Sequence, residues 1–177
     1  LALVAATLAA PAAATPAGVP RSAEPSTYTN PIMSEFADAF SDPAVIRAKD
    51  GYWYAYATTT VMTRENDGAP FEDQHFMPMA RSADLHTWEY VGDVFGPDHY
   101  PDWVTFRGTY YWAPDVRYID GRYYLYYSIA GNGRNAIGVA TSDSPSGPWE
   151  DSGGPVVDRD GGVNEIDPAV FVDDDGT

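Results

Sequence analysis

The chain has 177 residues, 44% of them hydrophobic and 14% aromatic, a composition that can fill a sizeable core and excludes disorder as its class. Its formal net charge of −16 excludes binding along a nucleic-acid backbone, which needs a basic footprint to release counterions. With no cysteine it can form no disulfide, no thiolate metal site and no cysteine nucleophile.

Residues 1–10, LALVAATLAA, are apolar but too short to span a bilayer, and the small-residue run PAAA follows them. Residues 1–14 therefore read as a truncated secretory signal peptide, which would make the protein secreted; an unstructured Ala/Pro tail is the competing reading. Residues 15–27 read as a Pro/Ala/Ser linker without periodicity. From residue 28 to 177 the composition becomes aromatic and β-rich, the expected N-terminal part of a larger domain.

A tetrapeptide organises that region. Asp42-Pro43-Ala44-Val45 and Asp167-Pro168-Ala169-Val170 each open an apolar run, and Ala113-Pro114-Asp115-Val116 opens a third of the same shape. An Asp-Gly pair follows each proline at a similar distance: Pro43 to Gly51 spans 8 residues, Pro114 to Gly121 spans 7 and Pro168 to Gly176 spans 8. Asp-Gly between β-rich runs signals a hairpin, so each unit is expected to begin strand, tight turn, strand.

Units one and two also share an ending, a short strand and a Ser/Asp turn running to Trp88 and to Trp149. Strands are expected at 44–48, 52–60, 77–82 and 88–94 in unit one, and at 114–119, 122–130, 135–141 and 149–151 in unit two. Four strands per unit is the content of one propeller blade. Residues 63–74 read as a loop insertion, and residues 96–108, with Trp103, as an aromatic-rich connection suited to a pocket wall.

In a propeller the first strand of each blade lines the axis, which makes Asp42 and Asp167 equivalent and leaves Ala113 at the same place in unit two. Paired carboxylates around a sugar-sized cleft are the equipment of glycoside hydrolysis. Asp before Pro is also a common turn starter, and on the residues alone the two readings have equal claim. Asp115 follows its proline where Asp42 and Asp167 precede theirs, so it is expected to be structural. Trp112, beside the tetrapeptide, is a candidate sugar-stacking aromatic or a Trp packed between blades, and Trp103 is a weaker candidate of the same kind.

The pattern resembles glycoside hydrolase family 43. The matching residues are Asn30-Pro31 upstream of Ser41-Asp42-Pro43-Ala44-Val45-Ile46; Tyr111-Trp112-Ala113-Pro114-Asp115-Val116 with Asp120-Gly121; and Ile166-Asp167-Pro168-Ala169-Val170-Phe171 through Gly176. The resemblance implies an all-β, five-bladed β-propeller, of which this chain covers about two blades and the start of a third. It implies an inverting hydrolase of arabinan, arabinofuranosides or xylosides, with Asp42 as general base and Asp167 as the carboxylate that orients the acid and modulates its pKa. The acid itself, a Glu, is expected outside this chain, since Glu165 lies two residues before Asp167 and Glu150 directly follows Trp149. The chain by itself is accordingly expected to be inactive.

No cofactor is required on this reading. The resemblance allows a calcium near the axis, and Asp173-Asp174-Asp175-Gly176 is better explained as a blade turn than as a calcium loop. A carbohydrate is the expected partner, with no nucleic acid, no membrane and a monomeric state. A sugar-binding propeller that has lost its acid is the alternative.

Overall fold

The computed structural model of the chain describes residues 30, 32–37, 39–60, 74–96, 98–104, 111–131, 134–159 and 164–173. The expected signal peptide and linker, most of the 63–74 insertion, part of the 96–108 connection and the last Asp-Gly pair lie outside these residues.

The described residues contain no helix and eight strands: β1 (Ala44–Arg47), β2 (Trp53–Tyr56), β3 (Pro78–Ser82), β4 (Glu89–Asp93), β5 (Tyr111–Ile119), β6 (Arg122–Gly131), β7 (Arg134–Ser142) and β8 (Glu150–Asp151). They form two four-stranded antiparallel meanders, β1-β2-β3-β4 and β5-β6-β7-β8, each strand hydrogen-bonded to its sequence neighbour. These are two propeller blades, with limits within a few residues of those the sequence suggests.

The Asp-Gly pairs make the first turn of each sheet. Asp120 and Gly121 both have positive φ, 48° and 92°, and connect paired Ile119 and Arg122 as a two-residue hairpin loop whose twist matches the strands. In the first sheet the loop holds three residues. Ala48 N–H donates to the Tyr52 carbonyl, Gly51 takes the left-handed position at φ 91°, and Asp50 Oδ1 accepts the Tyr52 N–H at 3.0 Å. That extra loop residue is why Pro43 stands one step further from its glycine than Pro114 does.

The two loops lie together: Lys49 N–H donates to the Tyr123 hydroxyl at 3.0 Å, and its ammonium sits 4.6 Å from the centre of the Tyr118 ring. At the opposite end, Thr59 N–H donates to the Tyr111 carbonyl at 2.9 Å. The first strands β1 and β5 therefore run in the same direction, with turns at one end and tetrapeptides at the other.

Strand alternation sorts the side chains. Tyr54 and Tyr56 of β2 turn toward the second sheet and join Met79, Val116, Tyr123, Leu125, Tyr127 and Trp149 in the main core. Trp53 and Ala55 turn the other way, where Ile32, Met33, Phe36 and Phe40 cover them with Ala80 and Trp88. Aromatic rings carry much of the joint between the sheets, with Phe95 packed at 4.5 Å from Tyr111 and 5.0 Å from Tyr127. Burial pushes the Tyr111 and Tyr127 hydroxyls well above the usual phenol range, so both stay neutral hydrogen-bonding groups.

Three departures from the sequence expectation exceed a single residue. β2 ends at Tyr56 rather than at residue 60, because Thr58, Thr59 and Thr60 give their N–H groups to Ser41, Tyr111 and His75. β5 begins at Tyr111 and runs through Pro114, because a bulge between Trp112 and Asp115 absorbs the residue that cannot donate. In unit three the described residues 164–173 form no strand. Side chains of the second sheet hold that segment instead: Asp115 Oδ2 accepts the Val170 N–H at 2.6 Å and Arg117 Nε donates to the Val170 carbonyl at 3.1 Å.

Candidate active site

Each tetrapeptide begins on the same unusual backbone. Asp42, Ala113 and Asp167, the residues before the three prolines, have φ of 51°, 43° and 57°. A residue before proline is normally driven into the extended region, and a non-glycine residue at positive φ is strained by about 1–3 kcal/mol. Three repetitions of this outlier show that the positions are equivalent. The conformation recurs at Ala113, which has no carboxylate, so it belongs to the blade opening and not to the acid.

The bulge recurs as well. In the second sheet Trp112 pairs with Ser128 and Asp115 with Tyr126; in the first, the Ser41 carbonyl accepts the Thr58 N–H at 3.0 Å while Ala44 pairs with Tyr56. Each first strand thus spends three steps where its partner spends two, and the additional residue is Asp42 or Ala113. This throws the opening side chain out of the strand's alternation.

Hydroxyls on or just past the second strands tie the openings into one line. Thr58 Oγ1 donates to Asp42 Oδ2 at 2.7 Å and accepts the Ala113 N–H at 3.0 Å. Ser128 Oγ, fully buried, accepts the Asp167 N–H at 2.7 Å. Starting from Asp42, the line passes through Thr58 to Ala113, along the chain to Trp112, across the ladder to Ser128 and on to Asp167. Asp42 and Asp167 both reach solvent at this end of the sheets. Sequence reading passed over Thr58 and Ser128, although a signal exists: they follow their prolines by 15 and 14 residues, the difference being the longer first turn.

The other candidates are placed as follows. Trp112 is part-buried within the opening, next to Ala113. Trp103 packs against the core, and its indole N–H donates to Asp151 Oδ1 at 2.9 Å on β8, the strand furthest from β5. Asp115 takes the structural part expected of it, holding Val170 with one oxygen and Arg117 Nη1 with the other at 2.7 Å. Glu150 lies on β8, and Glu165 pairs with Arg159 at 3.5 Å. Among the described residues no three His, Asp or Glu side chains cluster as a metal site would require.

Residues 28–177 match the glycosyl hydrolases family 43. An extracellular endo-α-(1→5)-L-arabinanase of Bacillus subtilis is 32% identical over 143 residues, covering 76% of this chain and 40% of that protein. An extracellular exo-α-(1→5)-L-arabinofuranosidase of Cellvibrio japonicus is 38% identical over 132 residues, 66% of this chain and 37% of that protein. Among solved structures, a family-43 β-xylosidase/α-arabinofuranosidase from a compost microbial metagenome, in a calcium-free form with xylotriose, superposes with a TM-score of 0.61 at 28% identity over 85% of this chain and 43% of that one. The chain thus spans about two fifths of the length of the proteins it matches, and the five-bladed propeller expectation stands with two blades and the opening of a third in view.

Proposed function

This chain belongs to the glycosyl hydrolases of family 43, and from that premise we propose that the protein hydrolyses O-glycosidic bonds in pentose-containing plant polysaccharides or oligosaccharides, with inversion and with Asp42 as general base. Arabinan and arabinofuranosides are the preferred substrates, as the names of the two curated relatives favour, and xylosides come second. Asp42 takes a proton from a water that attacks the anomeric carbon from the face opposite the leaving group. Asp167 orients the acid that protonates the leaving oxygen and modulates its pKa. A base and an acid working this way stand about 6.5–9.5 Å apart, leaving room for the water. Trp112 offers an aromatic face for the sugar ring at the same end of the sheets. The protein needs no cofactor, acts as a monomer and is secreted, as the two extracellular relatives favour.

The observation that carries this reading is the shared opening geometry. Two of the three positions at φ near 50° hold carboxylates, both exposed and both joined to the line through Thr58 and Ser128. Replacing Asp42 by Asn in the full-length protein removes the base and keeps the shape. Turnover should fall by about 10²–10⁴-fold with an unchanged fold. Near-normal turnover would reassign the base. A panel of aryl arabinofuranoside, aryl xyloside and linear arabinan orders the substrates, and activity on the xyloside alone would reverse the preference.

A further inference from the structure

We infer that Thr58 is a positioning residue for the proposed base: its hydroxyl, fixed by the backbone N–H of the next blade's opening, aims its single proton at Asp42 and sets the carboxylate to take a proton from the attacking water. This rests on the assignment of Asp42 as base. A hydroxyl carries one donor and two acceptor lone pairs. Ala113 N–H, at 3.0 Å from Oγ1, can only donate and occupies a lone pair. An ionised carboxylate can only accept, so the Oγ1–H is committed to Asp42 Oδ2 at 2.7 Å. The bond engages Oδ2 and so fixes where Oδ1 points.

The second sheet separates this task from blade joining. Ser128 stands where Thr58 does and performs the same joint, taking the Asp167 N–H at 2.7 Å. Its own blade opens on Ala113, which has no side-chain acceptor. The joint is therefore common to both hydroxyls, whereas donation to an opening carboxylate belongs to Thr58. Asp42 gains most from such a clamp because its backbone is strained and its side chain exposed, so neighbouring packing does not fix its rotamer.

The test compares Thr58→Val, close in shape but without the hydroxyl, with Thr58→Ser, which keeps it, and with Asp42→Asn, all in the full-length protein on the substrate the wild type turns over. Thr58→Val should lower kcat by about 10–100-fold, the scale of an ångström-level misplacement of a reacting group, while KM stays within about twofold. Thr58→Ser should restore kcat to within about threefold of wild type. If Thr58→Val does not fold, Thr58→Ala is read in its place. Wild-type kcat in the folded variant, or a loss confined to KM, overturns the proposal. So does loss of fold in both variants beside a fully active Thr58→Ser, which assigns the hydroxyl to the blade joint alone. Asp42→Asn separates the two levels. An inactive Asp42→Asn beside a fully active Thr58→Val defeats only this inference, whereas an active Asp42→Asn defeats the base assignment and this inference with it.

Discussion

Tyr54 and Tyr56 in the first sheet and Tyr124 and Tyr126 in the second occupy the same steps of the same strand, one paired into β1 and the other into β5. The first pair is sealed, at 3% and 0% exposure, and the second is half-buried. Their chemistry and register are alike, so the difference comes from what lies against them. Tyr54 and Tyr56 meet Tyr123, Leu125 and Tyr127 of the following sheet. Tyr124 and Tyr126 share their face with Asp115, Arg117 and Ser128, whose side chains hold the backbone of residues 167–170. A blade's face is completed by its successor, and the openings are where one blade takes hold of the next.

The sharpest way to break this comparison is to disturb the packing between the sheets. Gly138 faces Tyr127 across the ladder, and a Cβ added there would lie 2.4 Å from Cζ and 2.5 Å from the hydroxyl oxygen of that ring. Tyr127 cannot easily move, since its hydroxyl donates to Asp151 and its ring packs on Phe95 and Tyr111. Gly138→Ala should cost about 1–3 kcal/mol, the usual price of overpacking. Gly96→Ala is the control, because a Cβ there meets nothing within 4 Å. Denaturant midpoints of the full-length variants measure both. Equal stability would show that the joint yields and that the two faces differ less than their burial suggests.

A finer probe uses the equivalent tyrosines directly. The buried Tyr56 hydroxyl donates to the Pro145 carbonyl at 2.6 Å, joining β2 to the β7–β8 loop of the neighbouring blade. Tyr56→Phe leaves that carbonyl unsatisfied and should destabilise by about 1–2 kcal/mol. Tyr126→Phe, at the same step of the second sheet, should change stability by less than about 0.5 kcal/mol, as half-exposed sites do. Thermal or denaturant unfolding of the pair gives the answer. Equal losses would mean that the strand position, and not the neighbouring blade, sets the value of the hydroxyl.

The same contrast explains what could be read in the sequence. The three prolines with their Asp-Gly pairs disclosed the blades, because turn chemistry is local and the hairpin loops at Asp50-Gly51 and Asp120-Gly121 require those residues. The aromatics on both faces of β2 suit burial on both sides, but nothing local in the sequence says that Ile32, Met33, Phe36 and Phe40 cover one of them. The positive φ at Asp42, Ala113 and Asp167 was hidden, since a residue before proline reads as extended. Thr58 and Ser128 were hidden for another reason: a hydroxyl just past a strand or within one is unremarkable until the chain 55 or 39 residues later folds against it. The bond from the Trp103 indole to Asp151 was hidden in the same way, because the two residues lie 48 apart in the chain.

The outer strands supply the last and smallest test, because each sheet is closed there by a carboxylate with different partners. Asp151 on β8 accepts from Tyr127, the Trp103 indole and the Gly153 N–H, donors that keep their protons through the neutral range. Asp93 on β4 faces His75 Nδ1 at 3.2 Å and the Tyr90 hydroxyl at 2.9 Å. The hydrogen bond to Asp93 raises the His75 pKa above its ordinary 6.5, against a smaller opposing effect of burial. A group whose folded pKa is raised contributes its full stabilisation below the unfolded value and loses it as pH climbs through the folded value. The His75 contribution should therefore be complete below about pH 6.5 and fade above it. Its size should not exceed about 1 kcal/mol, since the pair is partly exposed. His75→Gln in the full-length protein should lower the unfolding free energy at pH 6 and make progressively less difference toward pH 9, while Trp103→Phe should carry a cost that is flat over that range. A His75→Gln deficit that grew with pH would reverse the sign, and would mean that the neutral imidazole, accepting from Tyr90, is what closes the first blade.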